Sequence, residues 1–184
     1  MTPSQPGPAL RDEILDAVPN LRAFAISLCG QVDRADDLVQ DTLLRAFSHS
    51  DRFTPGTNLH AWLFTILRNL FHSEHRKRRR EVEDPDGAYA GRLRVQPDQT
   101  IHLDFQDMRG ALKALPHDQR EALLLVSASG FSYDEAAAIC DCAVGTVKSR
   151  VNRARGRLAA LLHVDGAEDF GADRITRAVL QPTG

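Results

Sequence analysis

The chain has 184 residues, 42% of them hydrophobic and 6% aromatic, and a formal net charge of −2. That length fits one domain or two small ones, with cores built mainly from Leu, Ala, Val and Ile. So small a net charge excludes a generic polycation that coats nucleic acid: charge is segregated instead, basic at 76–80 and 145–157 and mostly acidic at 33–41 and 81–107, so local fields govern binding.

The first eight residues, rich in Pro, Ser and Gly, read as a loose tail with neither the basic start nor the apolar run of a signal peptide. No stretch approaches the apolar length that spans a bilayer. Cys29, Cys140 and Cys142 make neither a disulfide framework nor a zinc set, and read as free thiols in a reducing compartment. A soluble cytoplasmic protein without membrane contact is expected.

From Ala9, the apolar positions Ile14, Val18, Leu21, Ala25 and Leu28 recur at helical spacing; Pro19 should kink or split this segment, and Gly30 ends it. In the next helix, 33–48, Ala35, Leu38, Val39, Thr42, Leu43, Ala46 and Phe47 form the apolar stripe, while Asp36, Asp37, Gln40, Asp41 and Leu44 lie away from it. An acidic face with an exposed leucine is either solvated surface or a docking surface for a basic, partly apolar partner. Residues 51–58, DRFTPGTN, form a loop by their Pro-Gly pair. In it Phe53 either caps the core or pockets an unstacked base.

A longer helix follows from Leu59 into the basic run. Leu59, Trp62, Leu63, Ile66 and Leu70 form one stripe and Phe64, Leu67 and Phe71 a second, leaving a narrow polar arc of Thr65, Arg68, Asn69, His72 and Arg76. Such an arc leading into RKRRR suits a face held against an anion, and Trp62 reads as core rather than a base platform. His72 and His75 have metal-like spacing, but no ligand set supports them and nearby cations repel an ion. No phosphate loop, nucleophile elbow or activated serine appears, so no enzyme, cofactor or small-molecule substrate is expected.

Residues 81–102 mix acids, Gly and Pro with little periodicity and read as a linker between two helical domains, 9–80 and 103–162. Helical patterning resumes with Phe105, Met108, Leu112 and Leu115, breaks at Pro116, and continues into the apolar run 123–126, which should pack under the next motif. That motif is GFSYDEAAAICDCAVGTVKSRVNRARGR. Ser132 and Glu135 make a capping box, Ala136, Ala137 and Ile139 supply apolar contacts, and Asp141 and Cys142 sit where a turn is needed. At about 100° per residue, Val147, Val151, Ala154 and Leu158 of the second helix face the core. Gly145, Ser149, Asn152, Arg153 and Gly156 lie opposite; Thr146, Arg150 and Arg157 flank them on one side, Lys148 and Arg155 on the other. Such a helix is either a solvated basic surface helix or the second helix of a helix-turn-helix, which enters the DNA major groove. The cap, turn and uniformly basic second helix together favour the latter. The tail, 163–184, has one short helical pattern near 175–180 and no functional reading.

These motifs resemble, over most of the chain, the extracytoplasmic-function group of sigma-70-type RNA polymerase sigma factors, which keeps only regions 2 and 4. DRADDLVQDTLLRAF is similar to the segment that docks on the polymerase clamp helices, LHAWLFTILRNLF with RKRRR to the −10-reading and duplex-opening helix, and FSYDEAAAICDCAVGTVKSRVNRARGRL to the −35 reader. FTPGTNLHAWLFTILRN, HRKRRREVEDPDG, LPHDQREALLLVSASGFSYDEAA and CAVGTVKSRVNRAR resemble the general-stress-response sigma factors of alphaproteobacteria. The resemblance implies an all-α fold of two small helical domains and promoter-specific initiation without catalysis. Its implied partners are core polymerase (clamp helices and flap), promoter DNA with a GGAAC-like −35 element, an anti-sigma factor, and a response regulator that removes the anti-sigma. It places Asp37, Gln40, Asp41 and Leu44 at polymerase, and Phe53, Asn58 and Asn69 near a flipped −10 base, with Arg68, Arg76 and Arg79 on phosphate. Lys148, Ser149, Asn152 and Arg153 fall on −35 bases, with Thr146, Arg150 and Arg157 as flanking contacts. The alternative is a free-standing helix-turn-helix regulator, which uses the same recognition helix but gives Asp37 and Asp41 no role.

Overall fold

Pro19 divides the first helical stretch. In a computed structural model that describes residues 7–81 and 103–163, helix α1 spans Pro8–Asp16 and α2 spans Val18–Cys29, with Pro19 in the first turn of α2, where its missing N–H costs nothing. Gly30 closes α2 at φ 72°, a left-handed cap that suits a residue without a Cβ. Helix α3 (Val32–Ser48) buries Ala35, Leu38, Val39, Thr42 and Ala46 against α2 and carries Asp33 in its first turn and Arg45 in its last, both favourable to the helix dipole. Arg22 on α2 grips Asp36 on α3 with two bonds, Nε to Oδ1 at 2.6 Å and Nη2 to Oδ2 at 3.1 Å.

A 3-10 turn, Ser50–Arg52, leads through the Pro-Gly loop to α4 (Leu59–Glu81). Asn58 caps α4: its Oδ1 accepts from the Ala61 N–H at 3.1 Å. Leu63, Phe64, Leu67, Leu70 and Phe71 are buried. Trp62 is half-buried on the core's edge, and its ring meets Phe53 at 5.4 Å between centroids, so Phe53 covers Trp62 at the loop.

The second half packs α5 (Leu103–Ala114), α6 (His117–Ser127), α7 (Tyr133–Cys140) and α8 (Val144–Leu162) around one another. The apolar run of α6 is buried on every side, with Leu123, Leu124 and Leu125 all at 0% exposure, because α8, α7 and α2 each lie against it. The capping box forms as the sequence predicts: the Glu135 N–H donates to Ser132 Oγ, and the Ser132 N–H donates to the Glu135 carboxylate. Asp141 takes the left-handed turn conformation at φ 50°.

Among the described residues the elements are eight α-helices and the 3-10 turn. The expected linker, the tail from 164 and residues 1–6 lie outside them, as do the side chains of Phe105 and Arg79. The two halves do not stand apart: α4 packs on α7 and α2 on α6, and the buried apolar residues of both halves form one continuous cluster.

Candidate nucleic-acid interface

The core-facing side of α8 is as the angular reading predicts, with Val147, Val151, Ala154 and Leu158 all at 0% exposure. Opposite them Lys148, Asn152, Arg153 and Arg157 are exposed, and Thr146, Ser149 and Arg150 are half-buried. The exposed donors lie on a helix of purely positive charge, fixed by four buried contacts on its far side. Two candidates are less free. Ser149 Oγ donates to the Thr146 carbonyl at 2.9 Å, and Arg150 Nε pairs with Asp118 Oδ2 of α6 at 3.2 Å while its Nη1 approaches Cys142 Sγ at 3.9 Å. Lys148 Nζ stands 5.8 Å from the Tyr133 ring centroid, a cation–π distance that steadies the long side chain at the edge of α7.

On α3, Asp37, Gln40 and Asp41 are exposed and Leu44 is 64% exposed, a large apolar side chain held in water beside three polar ones. Asp37, Gln40 and Asp41 line a groove shared with Arg34 of α3 and with Glu74 and Arg78 of α4. Asp36 is held out of this set: its hydrogen bond to Arg22 keeps the carboxyl below the usual range.

The candidates on α4 and its loop divide. Asn69 and Arg76 are exposed and Phe53 is half-buried beside Trp62. Asn58 and Arg68 instead face the second half of the chain. Asn58 Nδ2 donates to Glu135 Oε1 at 2.6 Å, and Arg68 Nε donates to Glu121 Oε1 at 3.0 Å. His72 Nε2 reaches the same Glu121 oxygen at 3.1 Å. Around these polar contacts Phe64 meets Phe131 edge-on at 5.0 Å, Phe71 stacks on His117 at 4.8 Å, and Arg120 Nη2 donates to the Leu28 carbonyl at 3.4 Å. Phe64 also meets Phe24 of α2 at 5.0 Å, so of the second apolar stripe of α4 it is Phe71, stacked on His117, that most needs the second half as a partner. Glu121 itself, an acid at the start of an apolar run, is the residue whose role the sequence left unread.

Burial pushes the Glu121 carboxyl up, but the His72 hydrogen bond and the charges of Arg68 and His72 outweigh it and hold it below its ordinary value. Burial pushes the His117 imidazole down to about 4, against the pull of Glu121. His117 is thus neutral at neutral pH, and its buried Nε2 has no hydrogen-bond partner. The neighbours of His117 are Phe71, His72 and His75 on α4 and Arg120 and Glu121 on α6. Because its folded value lies below the unfolded 6.5, the unfolded chain takes up the proton first, and stability falls as pH drops from 6.5 towards 4. Discounted for partial exposure, the expected loss is about 1–2 kcal/mol. Glu121 adds to it below 4.5, as its own held-down carboxyl takes a proton. Urea midpoints measured at neutral pH and at mildly acid pH check this, and His117→Phe, which keeps the ring stack but has no proton to gain, should flatten the dependence.

His72, His117 and Glu121 bring donor atoms within 4.8 Å of one another, a grouping that the expectation of no metal did not foresee. The set is poorly suited to a cation: its single carboxylate already accepts from both Arg68 and His72, and Arg120 adds a further positive charge. An ion-pair network accounts for the cluster. Among the described residues no helix is long and apolar enough to cross a membrane.

Comparison with known proteins agrees with this layout. The family described as Sigma-70 region 2 matches residues 14–81, and that described as Sigma-70, region 4 matches residues 105–158. The chain is 70% identical over 176 residues to the ECF RNA polymerase sigma factor EcfG of Rhodopseudomonas palustris, covering 96% of this chain and 97% of that one. It is 37% identical over 137 residues to a probable RNA polymerase sigma-C factor of Mycobacterium bovis, covering 73% and 74%. The sigma factor RpoE of Bartonella quintana, solved in complex with the anti-sigma factor NepR, superposes with a TM-score of 0.75 at 56% identity, covering 86% of this chain and 99% of that one. Regions 2 and 4 in this order, on an all-α frame whose basic α8 faces outward, place the chain in the family of ECF RNA polymerase sigma factors, which are transcription initiation factors and not enzymes.

Proposed function

We propose that residues 9–80 bind core polymerase and the −10 element, that residues 103–162 bind the −35 element, and that the chain directs polymerase to general stress-response promoters under control of an anti-sigma factor. The observation that carries the −35 assignment is the exposed strip of Lys148, Asn152 and Arg153 on a helix whose opposite side is wholly buried. Arg153 is suited to bidentate contact with a base edge, and Arg157 and Thr146 to phosphate. Ser149 can accept from a base amino group while its hydroxyl donates to the Thr146 carbonyl, but donates to a base only by releasing that carbonyl, and Arg150 turns its Nε to phosphate only by leaving Asp118.

The polymerase assignment is supported by Asp37, Gln40 and Asp41 beside the exposed Leu44. Asn69, Arg76 and Phe53, with Arg79, Asn58 and Arg68, remain our candidates for the −10 strand. The likeness to RpoE of Bartonella quintana, solved with NepR, supports an anti-sigma partner. The experiment is reconstituted transcription with core polymerase from promoters bearing a GGAAC-like −35 element. Absence of any transcript overturns the reading. In the same assay Arg153→Ala should weaken matched −35 recognition by about 1–3 kcal/mol, with little change on a scrambled −35. Equal loss on both sequences assigns Arg153 to phosphate instead.

A further inference from the structure

Arg150 flanks the outward face of α8, and its guanidinium is held at two corners by other parts of region 4. Nε pairs with Asp118 Oδ2 at 3.2 Å, and Nη1 approaches Sγ of Cys142, in the turn before α8, at 3.9 Å. Asp118 is well placed for this. It stands in the first turn of α6, where the helix dipole favours a carboxylate, and the buried leucines of α6 pack that helix against α8. The side chains of Arg150 and Asp118 are 24% and 49% exposed, and a pair so open to solvent adds little to folding stability.

An acid beside a DNA-facing guanidinium acts in one of two opposite ways: it competes with phosphate, or it sets the group that phosphate meets. Arg22 shows the first arrangement, because Asp36 takes both its Nε and its Nη2. At Arg150 the carboxylate approaches Nε and the Nη1 contact goes to sulfur, so Nη2 is the corner left for an outside acceptor. We propose that Asp118 is a positioning residue for −35 binding: with Cys142, it holds the Arg150 guanidinium so that Nη2 meets a promoter phosphate. This rests on the assignment of Arg150 to phosphate. An arginine side chain loses rotamer freedom when it binds, and one already held at two corners has less to lose.

The test measures binding of reconstituted holoenzyme to a dye-labelled promoter duplex with a GGAAC-like −35 element, by fluorescence anisotropy over a range of salt concentrations. Removing an acid beside DNA should tighten binding by electrostatics alone, so the sign of the effect is decisive. Asp118→Ala should instead weaken binding by about fivefold and lower the salt slope by about one, the mark of one lost phosphate contact. Asp118→Asn, whose amide oxygen still accepts from Nε, should stay within about twofold of the unsubstituted chain. In an Arg150→Ala background, Asp118→Ala should add nothing. Urea midpoints of the free chains control for folding. Where Asp118→Ala lowers the midpoint, Arg150→Lys is used in its place: a single ammonium cannot meet Asp118 and phosphate as a planar fork does, so this variant should bind as weakly as Arg150→Ala. Unchanged or tighter binding by Asp118→Ala overturns the proposal, as does an equal loss in Asp118→Asn, a further loss in the Arg150→Ala background, or full binding by Arg150→Lys. If Arg153→Ala weakens the complex and Arg150→Ala does not, the −35 assignment stands and the proposal falls. Indifference to both removes the −35 assignment, and the proposal with it.

Discussion

Asp41→Lys should abolish co-purification with core polymerase while leaving the fold intact. Asp41 is exposed on the side of α3 away from the buried stripe, so the substitution disturbs no core contact. At a complementary interface, reversing a charge replaces attraction by repulsion and costs several kcal/mol. The neighbouring Leu44, 64% exposed, supplies the apolar part of the same surface. Co-precipitation with core enzyme checks this, with circular dichroism as the control for folding. Retained binding would show that the acidic face of α3 is plain solvated surface, the reading that the sequence left open.

Leu124→Ala is expected to destabilise the protein by about 2–5 kcal/mol, the usual range for emptying a packed leucine site. Leu124 is at 0% exposure in the middle of α6. The helix is enclosed by α8, α7 and α2, so little is free to collapse into the cavity. Leu161→Ala is the contrast: that side chain is 47% exposed near the end of α8, and its loss should stay within about 0.5 kcal/mol. Urea denaturation of the two variants measures the difference directly. A Leu124→Ala midpoint close to that of Leu161→Ala would mean that α6 is less tightly enclosed than its burial indicates.

Several features are legible in the sequence because they depend on local rules. The buried face of α8 follows from residue spacing alone, since a helix fixes which positions share a side. The capping box follows from Ser132 and Glu135 standing three apart, and the break between α1 and α2 from the ring of Pro19. The acidic face of α3 is legible for the same reason. The order of these elements was enough to identify regions 2 and 4.

Other features belong to the tertiary structure, because they join residues far apart in the chain. Nothing local relates Arg68 to Glu121 or Asn58 to Glu135, which are 53 and 77 positions apart. In the sequence the polar arc of α4 is one face suited to an anion. Packing divides it: Asn69 and Arg76 remain in water, while Arg68 and His72 meet an anion supplied by the protein itself. Likewise Arg150 has the sequence signature of a phosphate contact, but Asp118 lies within reach only because α6 and α8 fold together. By itself, then, the sequence determined the helices, their faces and the family. Which DNA-facing residues are exposed and which are paired was decided only by tertiary packing, within the second half for Arg150 and between the halves for Arg68 and Asn58, because pairing between residues far apart in the chain depends on distance in space and leaves no period in the sequence.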